Sequence, residues 1–299
     1  MSIHNYFKLE ECKDFKELES ACLPLTEAKE TWVFRGQENA KWSLETTFTR
    51  ACDLCALPKE KRVTCEGLMR REFRRRTHQY INNPPRASHT DEWLALMQHY
   101  GAPTRLLDFT YSPYVAMFFA FEKAAPSSDV AIWAFNTTWN EAGLKRFSKP
   151  LAAAYSEYQN NRDWEKFSQV LKKSSIPKSY ILNFNPFRLN ERLTYQRGLF
   201  LYQGDVSLRL DQNILDFTDI KINKEKGFIK FKVHNDEQGK TRTEALKRLD
   251  CMNITRATLF PDFEGFASSF SSRIPTLFMK QSETILDYDY DLSNPNTNF

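Results

Sequence analysis

The chain has 299 residues, a net charge of +4, and hydrophobic and aromatic fractions of 41% and 14%. That apolar content excludes general disorder. There are 24 phenylalanines but only 9 glycines, and neither a G-x-G-x-x-G nor a Walker A stretch occurs, so a glycine-rich phosphate loop is excluded too.

No apolar run reaches the length of a membrane span. The opening residues Met1-Ser2-Ile3-His4-Asn5 lack the apolar stretch of a signal peptide, so a cytoplasmic protein with no membrane partner is expected. A pI near 8.6 permits a nucleic-acid partner without requiring one. Cys52 and Cys55 have zinc-type spacing, with Cys65 and His78 following, but no second close pair completes a site. The cysteines read as reduced, and no metal is expected.

In chain order, Glu10 to Leu25 reads as a helix with Phe15, Leu18 and Cys22 on one face. Trp32-Val33-Phe34 reads as a short strand ending at Arg35-Gly36. Lys59 to Ile81 is a helix stopped by Asn82-Asn83-Pro84-Pro85. Within it, Arg70 with Arg74 and Arg71 with Arg75 repeat positive charge along one side. That run is a solvated face or a nucleic-acid contact. Thr90 to Tyr100 reads as a helix, with Asp91 and Glu92 in its first turn and Gly101 placed for a left-handed end.

Thr104 to Phe109 is the next strand. Ser112 then caps a helix that carries Pro113 in its first turn. Asp129 to Phe135 reads as a strand, and Trp139 to Lys173 as a charged helical stretch, an insertion or a lid. Leu199 to Gln203 and Phe228 to His234 are strands, the second alternating cleanly. Glu244 to Met252 and Leu259 to Ser269 read as helices, and the tail from Asp287 as polar and frayed. Strands and helices alternate without regular βαβ units, so the class expected is α+β, a split central sheet surrounded by helices.

Three stretches resemble one family. The first is Trp32-Val33-Phe34-Arg35-Gly36-Gln37, with Trp42-Ser43-Leu44 and Arg50. The second runs from Gln98-His99-Tyr100-Gly101 through Arg105-Leu106-Leu107-Asp108 to Ser112-Pro113, and on to Ala116, Phe119 and Ala120. The third is Asn190-Glu191-Arg192-Leu193, Gln196-Arg197-Gly198, then Phe260-Pro261-Asp262 and Gly265. Together they resemble the FRG domain from about Lys29 to Phe270, the family named for the motif read here as Phe34-Arg35-Gly36. The organisation implied is a helical segment over 1–28, an FRG-like domain over 29–285 with a helical insertion around 139–181, and a polar tail over 286–299.

The order of parts is also similar to that of the ADP-ribosyltransferases. This resemblance implies NAD as substrate, with Arg35 holding its phosphates and Thr110 and Ser112 shaping the nicotinamide pocket. Gln37, His99 and Tyr100 belong to the same cofactor-binding set. A guanidinium suits a diphosphate because its planar fork binds two oxygens at once. Glycosidic cleavage needs negative charge beside the sugar. Gln196 stands about where the resemblance places a glutamate and cannot supply that charge; Glu191 lies five residues upstream, and Glu264 is the other candidate.

The function implied is an NAD-dependent ADP-ribosyltransferase, of the kind used as toxins or antiviral effectors. Its acceptor would be nucleic acid (RNA or DNA, through Arg70, Arg71, Arg74 and Arg75) or protein. A restraining protein partner would fit such an effector. The other reading is a non-catalytic FRG-type module that recognises a nucleotide, nucleic acid or protein. Under it, Arg35 would pair with Asp108 or Asp262, Asp108 would pair with Arg105, and Thr110 and Ser112 would be strand-end and cap residues.

Overall fold

A computed structural model describes residues 7–173, 176, 178–186, 191–217 and 226–281. Its centre is a seven-stranded mixed sheet in the order β1-β7-β4-β2-β3-β6-β5. The strands are β1 (Lys8–Cys12), β2 (Trp32–Gln37), β3 (Leu106–Thr110), β4 (Val130–Asn136), β5 (Ile181–Phe184), β6 (Gly198–Gln203) and β7 (Phe228–Val233). Helices surround this sheet, so the α+β class is observed.

The strands in the middle are buried on both faces. All seven residues of β4 are buried. Alternate side chains feed two different cores, as strand geometry requires. Phe34, Ile132, Ala134 and Phe231 pack with the helices Phe15–Glu27, Pro113–Phe121 and Lys240–Cys251. Val33, Leu107, Phe109, Trp133, Phe135 and Phe228 pack with Leu210 and Ile214 of the Leu210–Phe217 helix. A third cluster joins Phe184, Phe200 and Tyr202 to Leu144, Leu151, Tyr155, Trp164 and Phe167. Those last residues come from the helices Thr137–Phe147, Lys149–Asn161 and Trp164–Leu171. The helical stretch expected from Trp139 to Lys173 therefore packs firmly against β5 and β6.

Three local expectations need correction. Residues 8–12 form β1, not the start of a helix at Glu10. This strand runs parallel to β7, from Lys8↔Ile229 to Cys12↔Val233. The helix begins at Phe15, where the Asp14 side chain accepts from the Glu17 N–H as an N-cap. The single helix expected from Leu259 to Ser269 is two, Arg256–Leu259 and Phe263–Gln281. Pro261 interrupts them because it offers no N–H to the preceding turn. Finally, β5 is a strand where none was expected, beyond the stretch from Trp139 to Lys173 and at the end of the insertion expected around 139–181; it is short and fully buried against β6. The polar tail over 286–299 lies outside the described residues.

Two glycines are dictated by geometry. Gly101 has φ of 77° and ends the Thr90–His99 helix. At Gly36 an added Cβ would sit 1.9 Å from the Ala116 carbonyl oxygen, so only glycine lets the Pro113–Phe121 helix lie against β2. Ser112 caps that helix, and Pro113 occupies its first turn.

Candidate functional site

β2 pairs with β4 over all six of its residues but touches β3 through one register pair, Phe34↔Thr110. Beyond that pair the two strands part. A cleft of about 1010 Å³ opens there, lined by Phe34 to Glu38 on one side and Asp108 to Thr110 on the other. Arg35 spans the gap. Its Nη1 donates to the main-chain oxygen of Asp108 at 2.8 Å, and the Asp108 carboxylate lies 3.9 Å away.

The rest of the Arg35 guanidinium is underused. Its Nε is buried with no hydrogen-bond partner among the described residues, while the side chain as a whole keeps 21% of its surface. Burial lowers its pKa; Asp108 opposes that, and the nearby Arg50 adds to it. A buried donor left unpaired costs about 1–3 kcal/mol. The cleft thus holds a cation that is desolvated and incompletely partnered.

Further cations line the same cleft. Lys41, Arg50, Lys123 and Arg192 have no carboxylate within ion-pair distance among the described residues, whereas Arg256 is held by Glu122. Arg192 and Arg256 both lie over the Phe260 ring, at 4.3 and 4.5 Å from its centre. The break at Pro261 is what frees Phe260 to take that position. Burial also lowers the Arg192 pKa, partly offset by Asp108. The carboxylates of the cleft are Glu38, Glu45, Asp108, Glu122, Asp262 and Glu264. Glu45 is paired with Arg209, and the Asp108 carboxylate accepts from Gln98 at 2.8 Å. Asp262 accepts from the Gly265 N–H. Glu264 is exposed and has no ion pair among the described residues.

Of the site residues read from the sequence, Arg35, Gln37, Thr110 and Gln196 line the cleft. All four have protein partners for their polar side chains, Arg35 through only part of its guanidinium. Gln37 is buried, donates to Ser43 and accepts from the Trp133 indole. Thr110 donates to the Gln196 carbonyl at 2.7 Å and accepts from the Ser112 N–H. The Gln196 amide donates to the Leu259 carbonyl. Ser112 does not line the cleft and serves as the helix cap. His99, Tyr100 and Glu191 are outside the lining as well. Burial nevertheless lowers the His99 pKa, and Arg192 lowers it further.

The pairing of Asp108 with Arg105 does not occur. Arg105 immediately precedes β3 and Asp108 is its third residue, and at that odd spacing in extended chain the two point to opposite sides. Arg105 forms a bidentate pair with the buried Glu66, its Nε donating at 2.6 Å, and it also meets Tyr202 and the Gln203 and Gly204 carbonyls.

The basic run lies on the Lys59–Thr77 helix, away from the cleft lining. Arg74 stacks over Trp93 at 5.4 Å, and Arg75 and Arg76 share Glu72. Arg71 is exposed and has no ion pair among the described residues. No group of three or more His, Cys, Asp or Glu suited to a metal occurs among the described residues. No described helix is long and apolar enough to cross a membrane.

Among the cleft residues to which the sequence assigns no role are Trp42, Arg50 and Arg192. Arg192 sits beside Glu191 in a stretch already singled out. What hid it is that consecutive residues of a helix point about 100° apart, so only one of the two neighbours faces the cleft.

The fold and cleft are of the α+β, mixed-sheet class. The family model described as FRG domain matches residues 30–129, which span β2 to the residue before β4 and include Arg35, Gly36, Asp108 and Thr110. No curated protein and no solved structure matches the chain. The FRG resemblance is thus supported over 30–129; the wall built by Arg192, Gln196, Phe260 and Glu264 lies beyond it.

Proposed function

We propose that the Arg35 cleft takes NAD and that the protein transfers its ADP-ribose to an acceptor. The observation that carries this reading is Arg35, a half-buried guanidinium with one hydrogen bond and a buried, orphaned Nε, beside a cleft of about 1010 Å³. A diphosphate is the ligand that best relieves such a group, since it offers charge and paired oxygens together. Arg50 and Arg192 supply the remaining positive charge.

In the transfer, the bond between the ribose C1′ and nicotinamide breaks and its electron pair leaves with nicotinamide. The acceptor nucleophile bonds to C1′ and loses its proton. Positive charge builds on the sugar, so a carboxylate must face it. Glu191 is outside the cleft lining and Gln196 is neutral. We therefore assign this role to Glu264, a cleft glutamate free of ion pairs among the described residues.

The test is nicotinamide release from NAD, with nucleic-acid and protein acceptors present. Wild-type protein should release it, and Arg35→Ala and Glu264→Gln should not while retaining the fold. A second reading, a non-catalytic recognition module, is favoured by the occupied hydroxyls of Thr110 and Ser112 and by Gln196. Absence of nicotinamide from folded wild-type protein would select that reading.

A further inference from the structure

The loop that follows β2 carries Trp42 into the cleft. The indole is 49% exposed, whereas Trp32, Trp93, Trp133 and Trp164 are buried. Among the described residues, Trp42 makes neither an aromatic nor a cation–π contact. Leaving so large an apolar ring half in water forfeits part of the stabilisation that burial would bring.

The loop is not loose. The Lys41 N–H donates to the Asn39 side chain at 2.8 Å, and the Trp42 N–H donates to the Asn39 carbonyl at 3.1 Å. The Ala40 N–H donates to the Asp129 carbonyl at 2.7 Å, and Lys230 Nζ donates to the Ala40 carbonyl at 2.6 Å. Gln37 ties the far end through the Ser43 carbonyl. A fixed loop thus holds an unpartnered indole at a wall of the cleft. Side chains held in advance lose little freedom when a ligand arrives.

Two kinds of group now share one cavity. One is a flat aromatic face with nothing on it. The other is a set of cations lacking carboxylates, with Lys41 next in sequence to Trp42 and with Arg50 and Arg192 nearby in the lining. A ligand that satisfies both carries an aromatic ring and a phosphate. We propose that Trp42 is a stacking platform for a nucleobase, making this cleft selective for nucleoside diphosphates over simple polyphosphates. This rests on the reading of the Arg35 cleft as a phosphate site.

Calorimetric titration with ADP and with inorganic pyrophosphate separates the two ideas. Wild-type protein should bind ADP more tightly than pyrophosphate. Trp42→Ala should weaken ADP about 5- to 150-fold, the range that removal of one base–aromatic stack produces, and leave pyrophosphate nearly unchanged. Trp42→Phe should restore most of the ADP affinity. If Trp42→Ala leaves ADP binding intact, or weakens both ligands equally, the stacking role is overturned and the phosphate site stands. If wild-type protein binds neither ligand, the phosphate site falls and the platform with it.

Discussion

Arg35 reaches across the sheet to the main-chain oxygen of Asp108, 2.8 Å away, at the point where β2 and β3 cease to pair. One residue earlier the strands are joined at Phe34↔Thr110. One residue later Gly36 lies against the Ala116 backbone. The motif Phe34-Arg35-Gly36 therefore combines a core anchor, a cleft cation and a close approach in consecutive positions.

Arg35→Ala should sharply weaken ADP binding and cost little stability. The variant gives up one protein hydrogen bond and also removes a poorly solvated charge, so the net change should be about 1 kcal/mol or less. Binding should fall about 10- to 150-fold, as expected when a charged hydrogen bond is removed. Calorimetry and urea denaturation check the two halves. A large drop in stability with unchanged binding would make the Asp108 interaction purely structural.

Gly36→Ala should destabilise by about 1–3 kcal/mol or more, because the new methyl group meets backbone and cannot be relieved by a rotamer change. Thermal denaturation of the variant measures this. Gly67→Ala, where an added Cβ meets nothing within 4 Å, is the control and should be neutral or slightly stabilising.

Glu66→Ala should cost about 3–5 kcal/mol, since it strands Arg105 with its side chain only 12% exposed. Glu66 lies on the Lys59–Thr77 helix, and Arg105 immediately precedes β3. The pair therefore ties that helix to the sheet. Chemical denaturation of the variant against wild type is the measurement.

Stability should fall as pH drops below the ordinary histidine range, and His99 should contribute to that fall. Its folded pKa is lowered by burial, then by Arg192, with Asp262 opposing. The unfolded state therefore takes up the proton first, so the contribution is present above the unfolded pKa and is lost as pH falls through the folded one. His99→Gln should flatten the dependence of the urea midpoint between about pH 7.5 and about pH 5.5. An identical slope in both proteins would refute it.

Replacing Arg70, Arg71, Arg74 and Arg75 with Gln should weaken nucleic-acid binding and reduce its salt slope, by about one for each phosphate that is no longer neutralised. Arg74 is engaged with Trp93 and Arg75 with Glu72, so Arg70 and Arg71 should account for most of the change. Binding measured across a salt series, with the Arg70→Gln, Arg71→Gln pair as the second variant, decides it. An unchanged slope identifies the run as a solvated face.

What could be read from the sequence was what local chemistry controls. Ser112-Pro113 specifies a helix start, Gly101 a left-handed end, and Phe228 to Val233 a half-buried strand, because cap, turn and alternation each act within a few residues. Arg35 was legible too, as the charge that follows Trp32-Val33-Phe34, although β2 does not end there and runs on to Gln37. Tertiary structure alone decided what depends on distant partners. Lys8–Cys12 is a strand because β7, more than 200 residues later, offers it a parallel edge. Arg105 pairs with Glu66 rather than Asp108 because strand geometry turns neighbours apart and a helix brings the carboxylate in. The cleft itself, and the placing of Arg192, Glu264 and Trp42 rather than Glu191 or Ser112 along it, follows from where β2 leaves β3 and where Pro261 breaks a helix. Those are relations among segments far apart in the chain, fixed only when the sheet closes around one register.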